Sequence, residues 1–217
     1  DDFSFQLYND DLERLEWYIE DACARVPILG TAGITRVVNG PIPYTPDGLP
    51  LIGPMPSVPN AFEACVFTFG IVQAGGAGKL LAEIIIEGET ESDSWAVDPR
   101  RFTDHVDTAY TAAKAIETYS HEYAMHFPQI QWPAGRKSKY SPLYDRLAAA
   151  GAEFGSYGGW ERADWFPENA ADRRPADSYD RQHWFDAVGN ECDHVASHAG
   201  ILELTGVPRF PGTGDGA

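Results

Sequence analysis

The chain has 217 residues, with 16 lysines and arginines against 33 aspartates and glutamates, and a net charge of −17 at pH 7. A field of that sign repels phosphate backbones and argues against a nucleic-acid partner. Its 43% apolar and 23% charged residues are a globular composition that excludes a disordered or collagen-like chain, and its best apolar run, Leu80 to Ile86, is broken by Glu83 and falls short of the ~18 residues a membrane span needs.

Three cysteines, Cys23, Cys65 and Cys192, are odd in number and far apart. That spacing gives no disulfide framework and fits a reducing compartment. The first residues, DDFSFQLYNDD, lack the charged-then-apolar pattern of a targeting peptide. The sequence starts without methionine and stops at GTGDGA, and both ends read as cut.

In chain order, Asn9 or Asp10 is placed to cap a helix through DLERLEWYIEDACARV. Leu12, Leu15, Ile19, Cys23 and Val26 recur at steps of three or four, and Pro27 and Gly30 end the pattern. Ile34 to Val38 is β-branched and predicts a strand. Gly40 to Pro54 holds five prolines, which exclude a helix and predict extended pieces joined by turns. Phe62 to Phe67 predicts a second strand, Gly70 to Gly78 a glycine turn, and Lys79 to Glu87 a mostly buried helix. Asp98 to Phe102 (DPRRF) is turn-like, and Thr108 to Tyr123 is rich in helix formers, closed by Pro128 and Pro133. Ser141 is a plausible cap, with a first-turn proline, for a helix ending at Gly151. Two similar runs, WERADWF (Trp160 to Phe166) and RQHWF (Arg181 to Phe185), flank a surface loop, PENAADRRPAD. Phe185 to Ala199 predicts a last helix, and ILEL the start of a strand.

The strongest local signal is FGIVQAGGAGK, Phe69 to Lys79. A strand, a glycine turn and a helix point backbone N–H groups at a ligand, and the helix dipole favours an electron-rich group there. A flavin's pyrimidine edge suits that end. The competing reading is a tight turn packing a helix against a sheet. The stretch is not a P-loop, because Gln73 stands where a glycine is needed and Leu80 where Ser or Thr is needed. Nor is it a full dinucleotide fingerprint.

His121-Glu122 and His126 resemble a zinc-protease helix, but the histidines are five apart, which on a helix turns the rings ~140° away from each other. His194 and His198 are four apart with Cys192 near, which is two ligands and a doubtful third, and a solvated helix face is the preferred reading. Glu161, Asp164, Asp177, Asp180 and Asp186 lie among tryptophans, but no spacing fixes a pair and they read as a solvated acidic loop. Trp160, Trp165, Phe166, Trp184 and Phe185 read as core. No metal site and no catalytic residue is assigned.

VVNGPIPYTPDGLPLIGP, FTFGIVQAGGAGK, DPRRF, SPLYDRL, GWERADWF and HWFDAVGNEC, in that order, resemble the dimethylglycine dehydrogenase and sarcosine dehydrogenase family over nearly the whole chain. PDGLPLIG before a glycine-rich helix entry is also similar to the wider D-amino-acid-oxidase-like flavoenzymes. The resemblance implies an α+β fold in three parts. Residues 1–95 would be the C-terminal part of an FAD-dependent oxidoreductase domain, 96–140 a connecting domain, and 141–217 the start of an aminomethyltransferase-like, folate-binding domain. The chain would then be an internal or truncated piece of a larger enzyme. The dinucleotide fingerprint would lie before Asp1 and the tetrahydrofolate-binding residues after Ala217. The implied chemistry is oxidative demethylation of a small N-methylated amino acid by FAD, with the one-carbon unit passed to tetrahydrofolate and electrons to a carrier protein, in choline and betaine catabolism. The implied location is the bacterial cytoplasm or the mitochondrial matrix.

The resemblance also sets Thr68, Phe69, Gly70, Ile71, Val72 and Gln73 against the isoalloxazine ring. Gln73 departs from the histidine expected of dimethylglycine dehydrogenases, which puts a contact from that side chain in doubt. Val72 stands where some related oxidases carry a lysine that favours reaction with O₂, so slow reaction with O₂ is expected. Two alternatives remain: a folate-dependent one-carbon transferase in which residues 141–217 are the working part, and a non-enzymatic acidic α/β interaction module.

Overall fold

The computed structural model describes residues 6–128, 130–169, 173 and 178–207. The chain divides into two compact units, Asp1–Pro43 and Tyr44–Ala217.

In the first unit a 3-10 turn, Glu13–Leu15, leads into helix α1, Glu16–Arg25. Asp11 takes the capping role expected of Asn9 or Asp10, its Oδ1 accepting from Arg14 N at 3.1 Å. A second 3-10 turn, Pro27–Gly30, follows where the proline removes a donor and ends the helix. Ile34 to Val38 is not a strand. β-Branched residues fit a pleated surface, but a strand exists only once a neighbour supplies the ladder. The bridge made near this segment is between Tyr8 and Asn39, with Tyr8 N donating to Asn39 O at 2.8 Å.

The second unit opens on the proline-rich loop. Prolines cannot donate from the backbone, so side chains add to the one backbone turn bond, Gly48 N to Thr45 O at 3.2 Å, in holding this loop. Thr45 Oγ1 donates to Leu49 O at 2.7 Å, and Asp47 Oδ1 accepts from Leu49 N at 3.1 Å. The Arg101 guanidinium, almost fully buried, reaches across 54 residues of sequence. It donates to both Asp47 carboxylate oxygens at 2.7 and 2.9 Å and to Leu49 O at 2.9 Å. Arg101 is itself placed by a 3-10 turn, Pro99–Arg101, whose cap Asp98 accepts from Arg100 N at 2.8 Å.

The loop delivers strand β1, Leu51–Pro54, which pairs antiparallel with β2, Phe62–Cys65, setting Ile52 opposite Ala64. Helix α2, Gly70–Glu87, packs on this hairpin. The expected glycine turn is instead its first two turns, because a helix that starts on a glycine and packs on a hairpin carries further glycines at a propensity cost rather than breaking. The expectation of a mostly buried helix also fails: Ala77 is its buried residue, and Ile85 and Ile86 are exposed. Gly88, at φ +83°, ends it in the left-handed conformation a C-terminal glycine allows.

Helix α3, Thr108–Ser120, is capped by Asp107, which accepts from Tyr110 N at 2.7 Å. It touches the proline loop through Thr118 Oγ1, which donates to Pro46 O at 2.8 Å. A three-stranded sheet follows, with β5 (Trp160–Trp165) between β3 (Lys139–Tyr140, parallel to it) and β4 (Glu153–Tyr157, antiparallel). Gly158 and Gly159 join β4 to β5 at φ +58° and +83°, the pair of positive values a tight hairpin turn demands. Helix α4, Tyr144–Ala149, ends in a Schellman motif. Gly151 at φ +90° donates to Ala148 O, and Ala152 N donates to Leu147 O.

Helix α5, Trp184–Ser197, matches the expected last helix closely. ILEL forms no strand, again for want of a partner among the described residues. The similar runs WERADWF and RQHWF diverge: the first is β5, the second a turn into α5. Most of PENAADRRPAD, with Asp177, lies outside the described residues.

Arg101→Met should lower unfolding stability by roughly 2–3 kcal/mol, the scale of hydrogen bonds to a charged group plus the stranded Asp47. A urea midpoint within error of wild type would contradict the role given to Arg101.

Candidate functional site

Thr68 to Gln73 meet at the head of α2. Phe69 is the N-cap and offers no side-chain hydrogen bond to the first turn. Gln73 N donates to Phe69 O at 3.2 Å, so the amides of Gly70, Ile71 and Val72 precede the helix ladder and point outward along its axis. Ile71 is 95% exposed and Val72 83% exposed. The polar atoms of the flanking side chains behave differently. Thr68 Oγ1 and Gln73 Oε1 are both sealed from solvent without a hydrogen-bond partner. The open part of the site is therefore backbone N–H plus two apolar side chains. An oxygen already closed off by protein has no path to a ligand without rotating.

The glycines of α2 sharpen this. A Cβ at Gly70 would find only the Phe67 Cβ, at an ordinary 3.5 Å, and one at Gly75, Gly76 or Gly78 would find nothing within 4 Å. In a helix interior each glycine costs about 1 kcal/mol relative to alanine. No packing within the described residues calls for any of them, which weakens the tight-turn reading. The arrangement suits a group approaching the helix from outside. The first turn, where unpaired amides and the dipole's positive end coincide, favours an electron-rich edge.

The other candidate residues sort differently from the sequence reading. His121 closes α3, and the chain leaves the helix before His126, so the 140° divergence does not apply. Both rings meet Trp132 instead, at centroid distances of 4.3 and 5.4 Å. His121 Nδ1 donates to Glu117 O at 2.7 Å, which fixes the tautomer, since a carbonyl only accepts. His194 and His198 stack on each other at the end of α5, 4.7 Å apart and nearly parallel, with Cys192 exposed nearby in sequence.

The carboxylates are not one solvated loop. Glu161 is only 3% exposed. It accepts from Arg136 Nε at 2.8 Å and Nη2 at 2.6 Å, and from Lys137 N at 2.7 Å. Burial alone would raise its pKa, but these donors outweigh burial and hold it below the ordinary carboxylate value. Burial lifts the neighbouring Asp164 carboxyl, against the pull of Tyr157, Arg162 and Arg136. Strand alternation explains why the sequence hides this: β5 turns Glu161 inward where a solvated run would turn it out. Asp186 fits the exposed reading and pairs with Arg181. Trp165 is core, but Phe166 and Phe185 are exposed, a correction to the core reading of those two.

Three family models match the chain in succession: the FAD dependent oxidoreductase over residues 1–84, the FAD dependent oxidoreductase central domain over 87–141, and the GCVT N-terminal domain over 143–217. This order defines a flavoenzyme class with an aminomethyltransferase-like module behind it, the arrangement the motif order implied. The mitochondrial dimethylglycine dehydrogenase of Mus musculus is 37% identical over 96% of this chain and 24% of its own length. The mitochondrial sarcosine dehydrogenase of Homo sapiens is 38% identical over 97% and 23%. The 4-methylaminobutanoate oxidase (formaldehyde-forming) of Paenarthrobacter nicotinovorans is 38% identical over 88% and 24%. Over the region it spans, the chain belongs to the dimethylglycine and sarcosine dehydrogenase family of FAD-dependent oxidoreductases. It spans about a quarter of the length of the curated relatives it matches.

Glu161→Gln should cost roughly 2 kcal/mol at neutral pH. A depressed carboxylate contributes stability above its unfolded pKa and loses it as pH falls through the folded value. The gap between variant and wild type should therefore shrink below about pH 4. Denaturant titrations at several pH values measure it, and a gap that widens with acid would refute the assignment.

Proposed function

We propose that this chain is the flavin-contacting tail, connecting segment and opening of the one-carbon module of an enzyme that oxidatively demethylates an N-methylglycine, dimethylglycine or sarcosine. The observation that carries the reading is the head of α2: uncapped amides, exposed Ile71 and Val72, and glycines that no neighbour within the described residues requires. Family membership supports the flavin as the group that approaches it. When bound, FAD supplies the hydride acceptor for the N-methyl carbon.

The chain's own part is to hold and orient. Amides of Gly70, Ile71 and Val72 favour negative charge at the helix head, which stabilises an edge that becomes electron-rich on reduction. Gly70 leaves room for close approach. Ile71 and Val72 supply apolar cover that excludes water. Thr68 and Phe69 set the angle at which the chain enters the helix, and Gln73 turns its side-chain oxygen inward. Domain limits near 95 and 140 divide these roles: flavin contact before, connection between, tetrahydrofolate-linked transfer after. Val72 brings no positive charge to the flavin, so electrons leave through a carrier protein rather than to O₂. The relatives named mitochondrial support the matrix as the location; in a bacterium the same enzyme would work in the cytoplasm.

The test uses the product of the complete reading frame. It should contain flavin, bleach anaerobically on adding dimethylglycine or sarcosine, and reoxidise faster with a one-electron dye than with air-saturated buffer. A product that contains flavin and is bleached by neither amine would overturn the substrate class, and one reoxidised fastest by air would overturn the carrier.

A further inference from the structure

A second feature of the Tyr44–Ala217 unit has no part in the flavin reading. A cavity of about 960 Å³ opens between α3, the segment after it, and the β4–β5 hairpin. That size is within the usual range for small-molecule sites. Its wall inverts the charge of the chain. Acids outnumber bases 33 to 16 overall, yet the wall carries Arg101, Lys114 and Arg136 against one carboxylate, Asp47, which both faces of the Arg101 fork already occupy. Three of the six histidines, His105, His121 and His126, stand in the same wall.

The carboxylates that pair with two of these cations are set behind the wall. Lys114 Nζ donates to Glu117 at 2.6 Å, and Glu117 in turn accepts from Ala134 N at 2.7 Å. Arg136 is held by Glu161 and by Phe154 O. Each base is thus held by an acid that is not itself among the lining residues. Lys114 also lies 5.8 Å from the Trp132 ring centroid, and Met125, Phe127 and Ile130 line the same cavity. A cleft whose lining bases outnumber its acids focuses field on an anion. The tight walls are built, not accidental. A Cβ at Gly159 would lie 2.6 Å from the His105 ring, and one at Gly135 2.5 Å from Tyr110.

We propose that this cavity binds a small organic anion: an apolar body against Trp132, Met125 and Phe127, with a carboxylate or phosphate head toward Lys114 and Arg136. The proposal stands apart from the flavin reading and survives its failure. Cation pairing in a partly dry site discriminates charge, so a neutral ligand of the same shape loses most of the affinity.

Isothermal titration of the complete reading-frame product with benzoate, phenyl phosphate and neutral benzamide tests it. Benzoate or phenyl phosphate should bind at least tenfold more tightly than benzamide, and which of them is tighter identifies the head group. Lys114→Gln keeps a hydrogen bond to Glu117 and should weaken the anion about fivefold or more, while Lys114→Arg restores it. Should Lys114→Gln fail to fold, the comparison with benzamide and a fall in anion affinity with added salt decide the matter in wild type. Equal binding of benzoate and benzamide, or no binding of either anion, would overturn the proposal.

Discussion

The fork of Arg101 on Asp47 and the Leu49 carbonyl is the contact on which the rest of the larger unit depends. Five prolines between Gly40 and Pro54 strip the loop of backbone donors. Within it one backbone bond closes a turn, Gly48 N donating to Thr45 O at 3.2 Å, and side chains supply further ties. One buried guanidinium supplies three donors at once, in a planar geometry that lysine cannot copy. The loop then delivers β1 at a fixed angle. Gly53 passes so close to Pro99 that a Cβ there would sit 3.2 Å from its ring. β1 aligns β2, and the hairpin seats α2. The orientation of the helix head therefore traces back to a side chain on the 3-10 turn beyond the helix.

Much of this order was legible in the sequence because it is local. Prolines closed the run that became α3, a first-turn proline and a glycine stop marked α4, and α5 was placed to within a few residues; β2 was visible as a short apolar run, while β1 was legible only as an extended piece of the proline-rich stretch. Two strands predicted from β-propensity, Ile34 to Val38 and ILEL, are not strands in the structure. Propensity describes a residue's fit to a sheet and says nothing about whether a neighbour is present. The glycine run misled for a related reason. Gly70 to Gly78 read as a turn, yet the backbone stays helical, because packing of α2 on the hairpin carries the propensity cost of its glycines.

The candidate site divides along the same line. The run Phe69 to Lys79 could be singled out because a helix head follows a strand, and the family resemblance set the flavin contact at Thr68 to Gln73. Which of their atoms are open could not be read, since that depends on Thr68 Oγ1 and Gln73 Oε1 being sealed by tertiary packing. The Glu161–Arg136 pair was missed because its members are 25 residues apart and only the pleat of β5 turns the acid inward. The Arg101 fork spans 54 residues and left no local sign either. The signal that could have raised it was the loop itself: a proline-rich segment must find its donors elsewhere.

The central claim is that the head of α2 is shaped for a flavin and not for packing. Gly70 separates the two, because a Cβ there meets only an ordinary contact with Phe67. The direct measurement is the flavin content and melting temperature of the complete reading-frame product carrying Gly70→Ala. The account predicts a melting temperature near wild type when both are stripped of flavin, with flavin occupancy lost or its affinity reduced at least tenfold. A variant that keeps full flavin affinity, or one that unfolds without flavin while wild type does not, would contradict it.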